Sequence, residues 1–139
     1  ALSISDLVAV MNRGRIVQMA APQELYWSPA SAWVGQFVGD ANFIRGRGRG
    51  GTVESVLGAF RGEGDGEVWV MVRPESVRLN ANPEGRAVVK GREFFGHDQL
   101  VTVAFEDGTL LRSRLGPGDY FSPGDRVEVD VEDVTVFPG

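Results

Sequence analysis

Hydrophobic and polar residues alternate over most of the second half of the chain. The pattern is plain in Glu67-Val68-Trp69-Val70-Met71-Val72-Arg73 and in Leu100-Val101-Thr102-Val103-Ala104-Phe105. It recurs in Arg126-Val127-Glu128-Val129-Asp130-Val131-Glu132 and in Val134-Thr135-Val136-Phe137. A period of two puts alternate side chains on opposite faces of a strand. Residues 52–56 and 86–90 also read as strands. Glu106-Asp107-Gly108-Thr109 predicts a hairpin with a type I′ turn, and residues 110–115 are its returning strand. Residues 62–66, 116–119 and 122–125 are further turns. About seven short strands at this spacing predict a small barrel or sandwich, because closure removes exposed edges.

The first part of the chain reads differently. Residues 7–11 and 16–19 predict two strands of a hairpin, with Gly14 supplying positive φ in the turn. Pro22 to Trp27 suits a short helix, with Pro22 in its first turn and Glu24 near the positive dipole end. A second helix is expected from Pro29 to Val38, capped by Ser28 and stopped by Gly39. Trp33 with Phe37 and Val34 with Val38 lie four apart and predict one apolar stripe. Between the two parts runs Arg45-Gly46-Arg47-Gly48-Arg49-Gly50-Gly51, four glycines in seven residues with no apolar side chain. It is expected to be a linker. The predicted organisation is therefore residues 1–44 as an α/β piece, 45–51 as a linker and 52–139 as a β-domain.

Composition narrows the function classes. The 139 residues contain no cysteine and one histidine, His97. This excludes disulfides, thiolate metal sites, cysteine nucleophiles and multi-histidine metal centres. The net charge is −5, and the one basic island is Arg45, Arg47 and Arg49. An acidic chain with so small an island is a poor nucleic-acid binder, so no nucleic-acid partner is expected. No apolar run approaches the ~20 residues of a membrane span, and the N-terminus has no signal-peptide pattern. A soluble, cytoplasmic protein is expected.

Candidate chemistry is sparse. Gly46-x-Gly48-x-x-Gly51 formally matches a dinucleotide fingerprint, but no helix follows it, and the fingerprint works only at a helix N-terminus. His97 and Asp98 are neighbours, yet adjacent strand residues face opposite ways, so a turn histidine is the plainer reading. Glu128, Asp130 and Glu132 share one strand face. They could hold a hard cation, but they read more simply as a solvated face opposite Val127, Val129 and Val131. No Gly-x-Ser-x-Gly elbow and no phosphate-cradling Gly-x-x-x-x-Gly-Lys loop occurs, and the only lysine is Lys90. No catalytic, cofactor-binding or metal-ligating residue is assigned.

The order of the segments resembles a known family. Ala1-Leu2, Asp6 and the strand ending in Met11 look like the stretch after the switch histidine in the ATP-binding subunit of an ABC importer. Gly14, Ile16 and Gln18 resemble its G-x-I-x-Q hairpin. Pro22, Glu24, Tyr26 and Pro29 resemble its P-x-E-x-Y-x-x-P, and Phe37, Gly39 and Asn42 its F-x-G-x-x-N. Downstream, Val72-Arg73-Pro74-Glu75 is similar to the V-R-P-E signature of the transport-associated OB (TOBE) domain. Gly96, the Asp107-Gly108 hairpin and Gly124-Asp125 also fit it. Leu7 stands where the family usually has Arg, and Ala20-Ala21 where Gly-Thr usually precedes the proline.

The resemblance implies a mainly β fold, a small OB-like barrel preceded by a hairpin and two short helices left from an ATPase domain. It implies the C-terminal regulatory and dimerisation region of a subunit that energises import of ferric iron, polyamine, sugar or a related solute. The parent would use ATP and Mg²⁺, contact transmembrane permease subunits through its ATPase core, and sit at the inner face of the membrane. This chain alone is expected to be inactive. A homodimer and a small-molecule or protein regulator are the further implied partners. The alternative is a free-standing OB module that binds a ligand or an oligonucleotide.

Overall fold

Val8–Asn12 (β1) and Arg15–Ala20 (β2) pair antiparallel, as the apolar runs predict. Their two-residue turn has Arg13 at φ 53° and Gly14 at φ 78°. Two positive φ values make a type I′ turn, which matches the twist of the strands. Two short helices follow, Pro22–Trp27 (α1) and Ala32–Val38 (α2). The computed structural model describes residues 7–139, so Ala1 to Asp6 of the family resemblance lie outside the described residues. The chain divides into two compact units between Ala41 and Asn42.

The second helix starts later than expected. Its cap is Ser31, whose Oγ accepts from the Val34 N–H at 3.2 Å, while Ser28 is the C-cap of α1, its N–H donating to the Glu24 carbonyl at 2.8 Å. Gln18 explains the shift. Its Oε1 accepts from the Ala30 N–H at 2.7 Å and its Nε2 donates to the Ser28 carbonyl at 3.4 Å. Residues 28–30 are thereby held out of the helix. The expected apolar stripe also splits. Val34 is buried with Leu25, Val10 and Ala20, and Val38 packs against them. Trp33 and Phe37 are exposed and stack on each other, with centroids 5.2 Å apart.

The second unit holds ten strands in two antiparallel sheets of five. The first sheet contains Asn42–Arg49 (β3), Thr52–Ser55 (β4), Gly58–Arg61 (β5), Gly66–Val72 (β6) and Thr135–Pro138 (β12), in the order β12-β6-β3-β4-β5. The second contains Val77–Ala81 (β7), Ala87–Phe94 (β8), Gln99–Phe105 (β9), Leu110–Leu115 (β10) and Arg126–Val131 (β11), in the order β10-β9-β8-β11-β7. β5 and β7 were not predicted, being short or interrupted by polar residues. The second sheet is rolled: its outermost strands meet where Ser113 Oγ on β10 donates to the Val77 carbonyl on β7 at 2.6 Å. One core is shared by both sheets. Ile44, Val53, Val68 and Val70 come from the first, and Val89, Val101, Val103, Leu111 and Val127 from the second.

The predicted linker is instead a strand. Residues 45–49 belong to β3, which pairs with β6 from Asn42↔Val72 to Gly48↔Gly66 and with β4 from Gly46↔Ser55 to Arg49↔Thr52. The glycines face the core and the arginines face out. A Cβ on Gly46 would lie 3.0 Å from Val70 Cγ2 and 3.1 Å from Val53 Cγ1, and one on Gly48 would collide with the Gly64 carbonyl oxygen. Other chain segments occupy the space where apolar side chains would otherwise point. Only Gly50 and Gly51, at φ 61° and 83°, form a turn.

The 106–109 hairpin also differs from expectation. Gly108 N–H donates to the Phe105 carbonyl at 3.0 Å and Phe105 N–H to the Thr109 carbonyl at 2.9 Å. Gly108 alone has positive φ, 91°. This is a three-residue loop closed by a left-handed glycine, not a type I′ turn. Asp107 Oδ1 accepts from the Thr109 N–H at 2.9 Å.

Two outcomes are expected. Gly48→Ala forces two backbones apart and should cost about 2 kcal/mol in urea unfolding. Gly91→Ala, where a Cβ meets nothing within 4 Å, should be near neutral; equal effects would reject the close crossing. The Thr109 backbone N–H, followed by the Thr109 side chain, holds the Asp107 carboxyl below its ordinary value. That contribution is present above the unfolded pKa of about 3.9 and is lost as pH falls through the lower folded value. Carboxyl NMR titration should place the Asp107 midpoint below the ordinary aspartate value, and Thr109→Ala should bring it part of the way back.

Candidate functional site

The residues singled out from the sequence do not converge on one site. Gly14 forms the β1–β2 turn, Gln18 ties β2 to the segment between the helices, and Pro22 and Glu24 occupy the first turn of α1. Tyr26 meets Trp27 edge to face with centroids 4.9 Å apart. In the second unit, Gly96 has φ 93° in the β8–β9 loop. Gly124 and Asp125 hold Val89: Gly124 N–H donates to the Val89 carbonyl and Val89 N–H to the Asp125 carbonyl, both at 2.8 Å. Asp125 Oδ2 accepts from the Ser122 N–H at 2.8 Å. Asp6 lies outside the described residues.

Arg73, Pro74 and Glu75 sit where the chain leaves the first sheet for the second. β6 ends at Val72, and Pro74–Ser76 is a single 3₁₀ turn that leads into β7. The break falls where a proline, which cannot donate to a ladder, requires it. Arg73 is fully buried, as are Pro74 and Ser76. The Ser76 carbonyl accepts from the Glu132 N–H at 3.1 Å, near where the chain crosses back from β11 to β12. Beside this crossing, Asn42 pairs with Arg112. Asn42 Nδ2 donates to the Arg112 carbonyl and Arg112 N–H donates to Asn42 Oδ1, each at 2.8 Å. A side-chain amide thus does on the free edge of β10 what a neighbouring strand would do.

The other candidate groups are partnered structurally. Each acid of the Glu128, Asp130, Glu132 row faces a donor across the sheet. Arg86 Nη2 meets Glu128 at 2.9 Å, Asn80 Nδ2 meets Asp130 at 3.3 Å and Arg78 Nη2 meets Glu132 at 3.0 Å. His97 Nε2 does lie 3.5 Å from Asp98 Oδ1. The expectation that they point apart fails because both are in a loop rather than on a strand. Asp98 Oδ2 accepts from Arg114 Nη1 at 2.7 Å, and the imidazole is exposed. On the outer face of the first sheet, the Arg45 guanidinium lies 4.1 Å from the Trp69 ring centroid and 3.6 Å from Glu67.

Two buried polar residues escaped notice in the sequence, Ser113 and Gln99. Ser113 closes the roll, and Gln99 Nε2 donates to the Gly116 carbonyl at 2.9 Å and to that of Asp119, pinning the loop after β10. The signal was present. Each interrupts an inward-facing apolar row, Ser113 between Leu111 and Leu115 and Gln99 before Val101, Val103 and Phe105.

The one glycine-rich stretch is a strand with a turn, and no helix begins there to receive a phosphate. Among the described residues no cluster of three or more His, Asp or Glu forms a cation site.

A rolled five-stranded sheet packed on a second sheet, with Asn42, Gln99 and Ser113 bonded to its own backbone, defines a small OB-like β-domain. Residues 70–137 match the TOBE domain family, and the chain is similar to the C-terminal regions of ATP-binding subunits of ABC importers. It is 35% identical over its whole length to the spermidine/putrescine import ATP-binding protein PotA of Ruegeria pomeroyi, covering 41% of that protein. It is 32% identical to the sulfate/thiosulfate import ATP-binding protein CysA 2 of Agrobacterium fabrum, over 99% of this chain and 42% of that one. It is 30% identical to the Fe(3+) ions import ATP-binding protein FbpC 2 of Rhodococcus jostii, over 94% and 40%. The chain spans about two fifths of the length of these curated relatives. Among solved structures, the cytoplasmic molybdate-binding protein ModG shares the fold. Its TM-score is 0.58 at 17% identity, covering 70% of this chain and 96% of that one.

Asn42→Ala removes both partners of Arg112 on a strand edge. It should lower stability by about 2 kcal/mol in urea unfolding. Asn42→Asp should cost at least as much, because it turns a carboxylate oxygen towards the Arg112 carbonyl. A near-neutral effect of both would show that the pair does not join the sheets.

Proposed function

We propose that this chain is the C-terminal regulatory and dimerisation region of a subunit that energises solute import. The observation that carries the reading is its similarity, over 94% or more of its length, to three importer ATP-binding proteins. Residues 7–41 are the last elements of the ATPase domain. Met11, Ile16, Met19 and Phe37, each more than half exposed, pack on the rest of that domain. That rest holds ATP and Mg²⁺ and contacts the permease subunits. The subunit is cytoplasmic, at the inner face of the membrane. Among the described residues no helix is long and apolar enough to cross a membrane, which agrees with a peripheral place.

The names of the relatives span a polyamine, an oxyanion and ferric iron, so the common property is energised import and the solute class stays at that level. The β-domain joins two copies of the subunit about a two-fold axis, the commonest symmetry of homo-oligomers.

Three measurements test this. Titration of the 139-residue chain with Mg-ATP should give no saturable heat at concentrations up to about 1 mM. The coding sequence before Ala1 should contain a nucleotide-binding loop, a signature motif and a switch histidine; a frame lacking them overturns the reading. Light scattering should give twice the 15.1 kDa chain mass, and a monomer at tens of micromolar rejects the dimer.

A further inference from the structure

The basic island Arg45, Arg47 and Arg49 takes no part in the functions described above. In the fold it becomes one row of a sheet face. Gly46 and Gly48 point into the core, so the three arginines alternate outwards along β3, and all three are exposed. The pairing of β3, β4 and β5 then adds a residue that the sequence keeps apart. Arg49 stands opposite Thr52, and Thr52 stands opposite Arg61. Arg49, Thr52 and Arg61 thus form one exposed rung across three adjacent strands.

Neighbouring strands lie about 4.8 Å apart, which puts the two arginine backbones about 10 Å apart with the threonine between them. A guanidinium on its three-carbon stem spans half of that distance from either side. Like charges on one rung repel. Among the described residues no carboxylate lies within ion-pair distance of Arg49 or Arg61. Arg45 is the member of the island with such a partner, Glu67 at 3.6 Å, and its guanidinium also covers Trp69.

The rung is held in place by the backbone. Gly50 and Gly51 close the β3–β4 turn beside it, and Gly62 N–H, one residue past Arg61, donates to the Gly51 carbonyl at 3.1 Å. Val53, next to Thr52, is fully buried in the core. Donors fixed on a packed sheet lose little on binding. The next rung limits the patch. Arg47 lies there between Glu54 on β4 and Glu67 on β6. A polyanion running along the sheet would meet both carboxylates, so the patch suits one anionic group and disfavours a nucleic-acid backbone.

We propose that Arg49, Thr52 and Arg61 bind a single phosphate dianion, inorganic or the terminal group of a small molecule or lipid. Its oxygens accept from a guanidinium fork on each side and from the threonine hydroxyl between them. A carboxylate carries half the charge and fewer oxygens for the same donors.

The test is an amide NMR titration of the full chain with inorganic phosphate at constant ionic strength, chloride being exchanged for phosphate. Amides of residues 49–53 and 60–62 should shift, with a dissociation constant of about 5 mM for this minimal probe. Arg49→Gln and Arg61→Gln should each weaken it about tenfold and Thr52→Val about threefold, while Arg78→Gln on the other sheet should not. All three residues of the rung are exposed, so these variants keep the fold, and unchanged spectra away from the rung check this. The proposal is overturned by no shifts at about 50 mM phosphate, by equal shifts when sulfate-free chloride replaces phosphate, or by an unchanged affinity in Arg61→Gln. Phosphatidylcholine vesicles containing phosphatidate then separate the sources. Pelleting that Arg61→Gln abolishes assigns the phosphate to a lipid, and phosphate shifts without pelleting assign it to a soluble molecule. Neither probe involves the ATPase domain, so their failure leaves the importer reading standing, and a missing ATPase frame leaves the rung standing.

Discussion

The β-domain depends on a reciprocal pair of hydrogen bonds between the Asn42 side chain and the Arg112 backbone, which ties the two sheets together. β10 is the outermost strand of its sheet, and its free edge carries amide and carbonyl groups that must be satisfied when covered. Asn42 begins β3 and lies beside Val72, the last residue of β6. Immediately after Val72 the chain turns through Arg73, Pro74 and Ser76 into the second sheet. The amide of Asn42 therefore attaches the edge of one sheet at the point where the other sheet hands over the chain. Ser113, next to Arg112, completes the junction by closing the roll on Val77.

This arrangement explains why so many of the family-like residues are glycines, prolines and small polar residues. Gly124 and Asp125 support the bulge at Lys90, Pro74 ends a ladder, and Gln18 delays a helix. Gly124 acts through its backbone N–H, and the side chains of Asp125 and Gln18 meet backbone groups of the same chain, which positions strands and loops. The same economy of volume is seen in β3. Its inward positions Gly46 and Gly48 leave room for Val53, Val70 and the 62–65 loop to cross closely. A side chain at either position would separate elements that the shared core needs together.

A bulge in β8 rests on the same kind of backbone support. Backbone bonds from Gly124 and Asp125 to Val89 occupy the residue before Lys90. The strand then gains a residue at Lys90. On β11 of the same sheet, acids are paired directly across strands to arginine or asparagine.

Much of the fold was legible in the chain itself. Period-two alternation marks β6, β9, β11 and β12, because every second side chain of each is turned to the shared core. Proline at position 74 and glycine at 14 mark a strand end and a turn through their own backbone limits. The order of short motifs also marks the family. Tertiary structure decided the rest. Arg45 to Arg49 carries no apolar residue, so only the close approach of Val70, Val53 and Gly64 makes it a strand. Ser28 reads as the cap of the second helix until Gln18, ten residues away, takes the backbone of residues 28–30 and Ser31 caps instead. Val34 and Phe37 look alike as helix residues, and the packing of Leu25 and Val10 chooses which is buried. The joining of the sheets by Asn42 and Arg112 spans seventy residues, a separation at which no local pattern carries information. The basic rung likewise requires β3, β4 and β5 to lie side by side before Arg49, Thr52 and Arg61 share a surface.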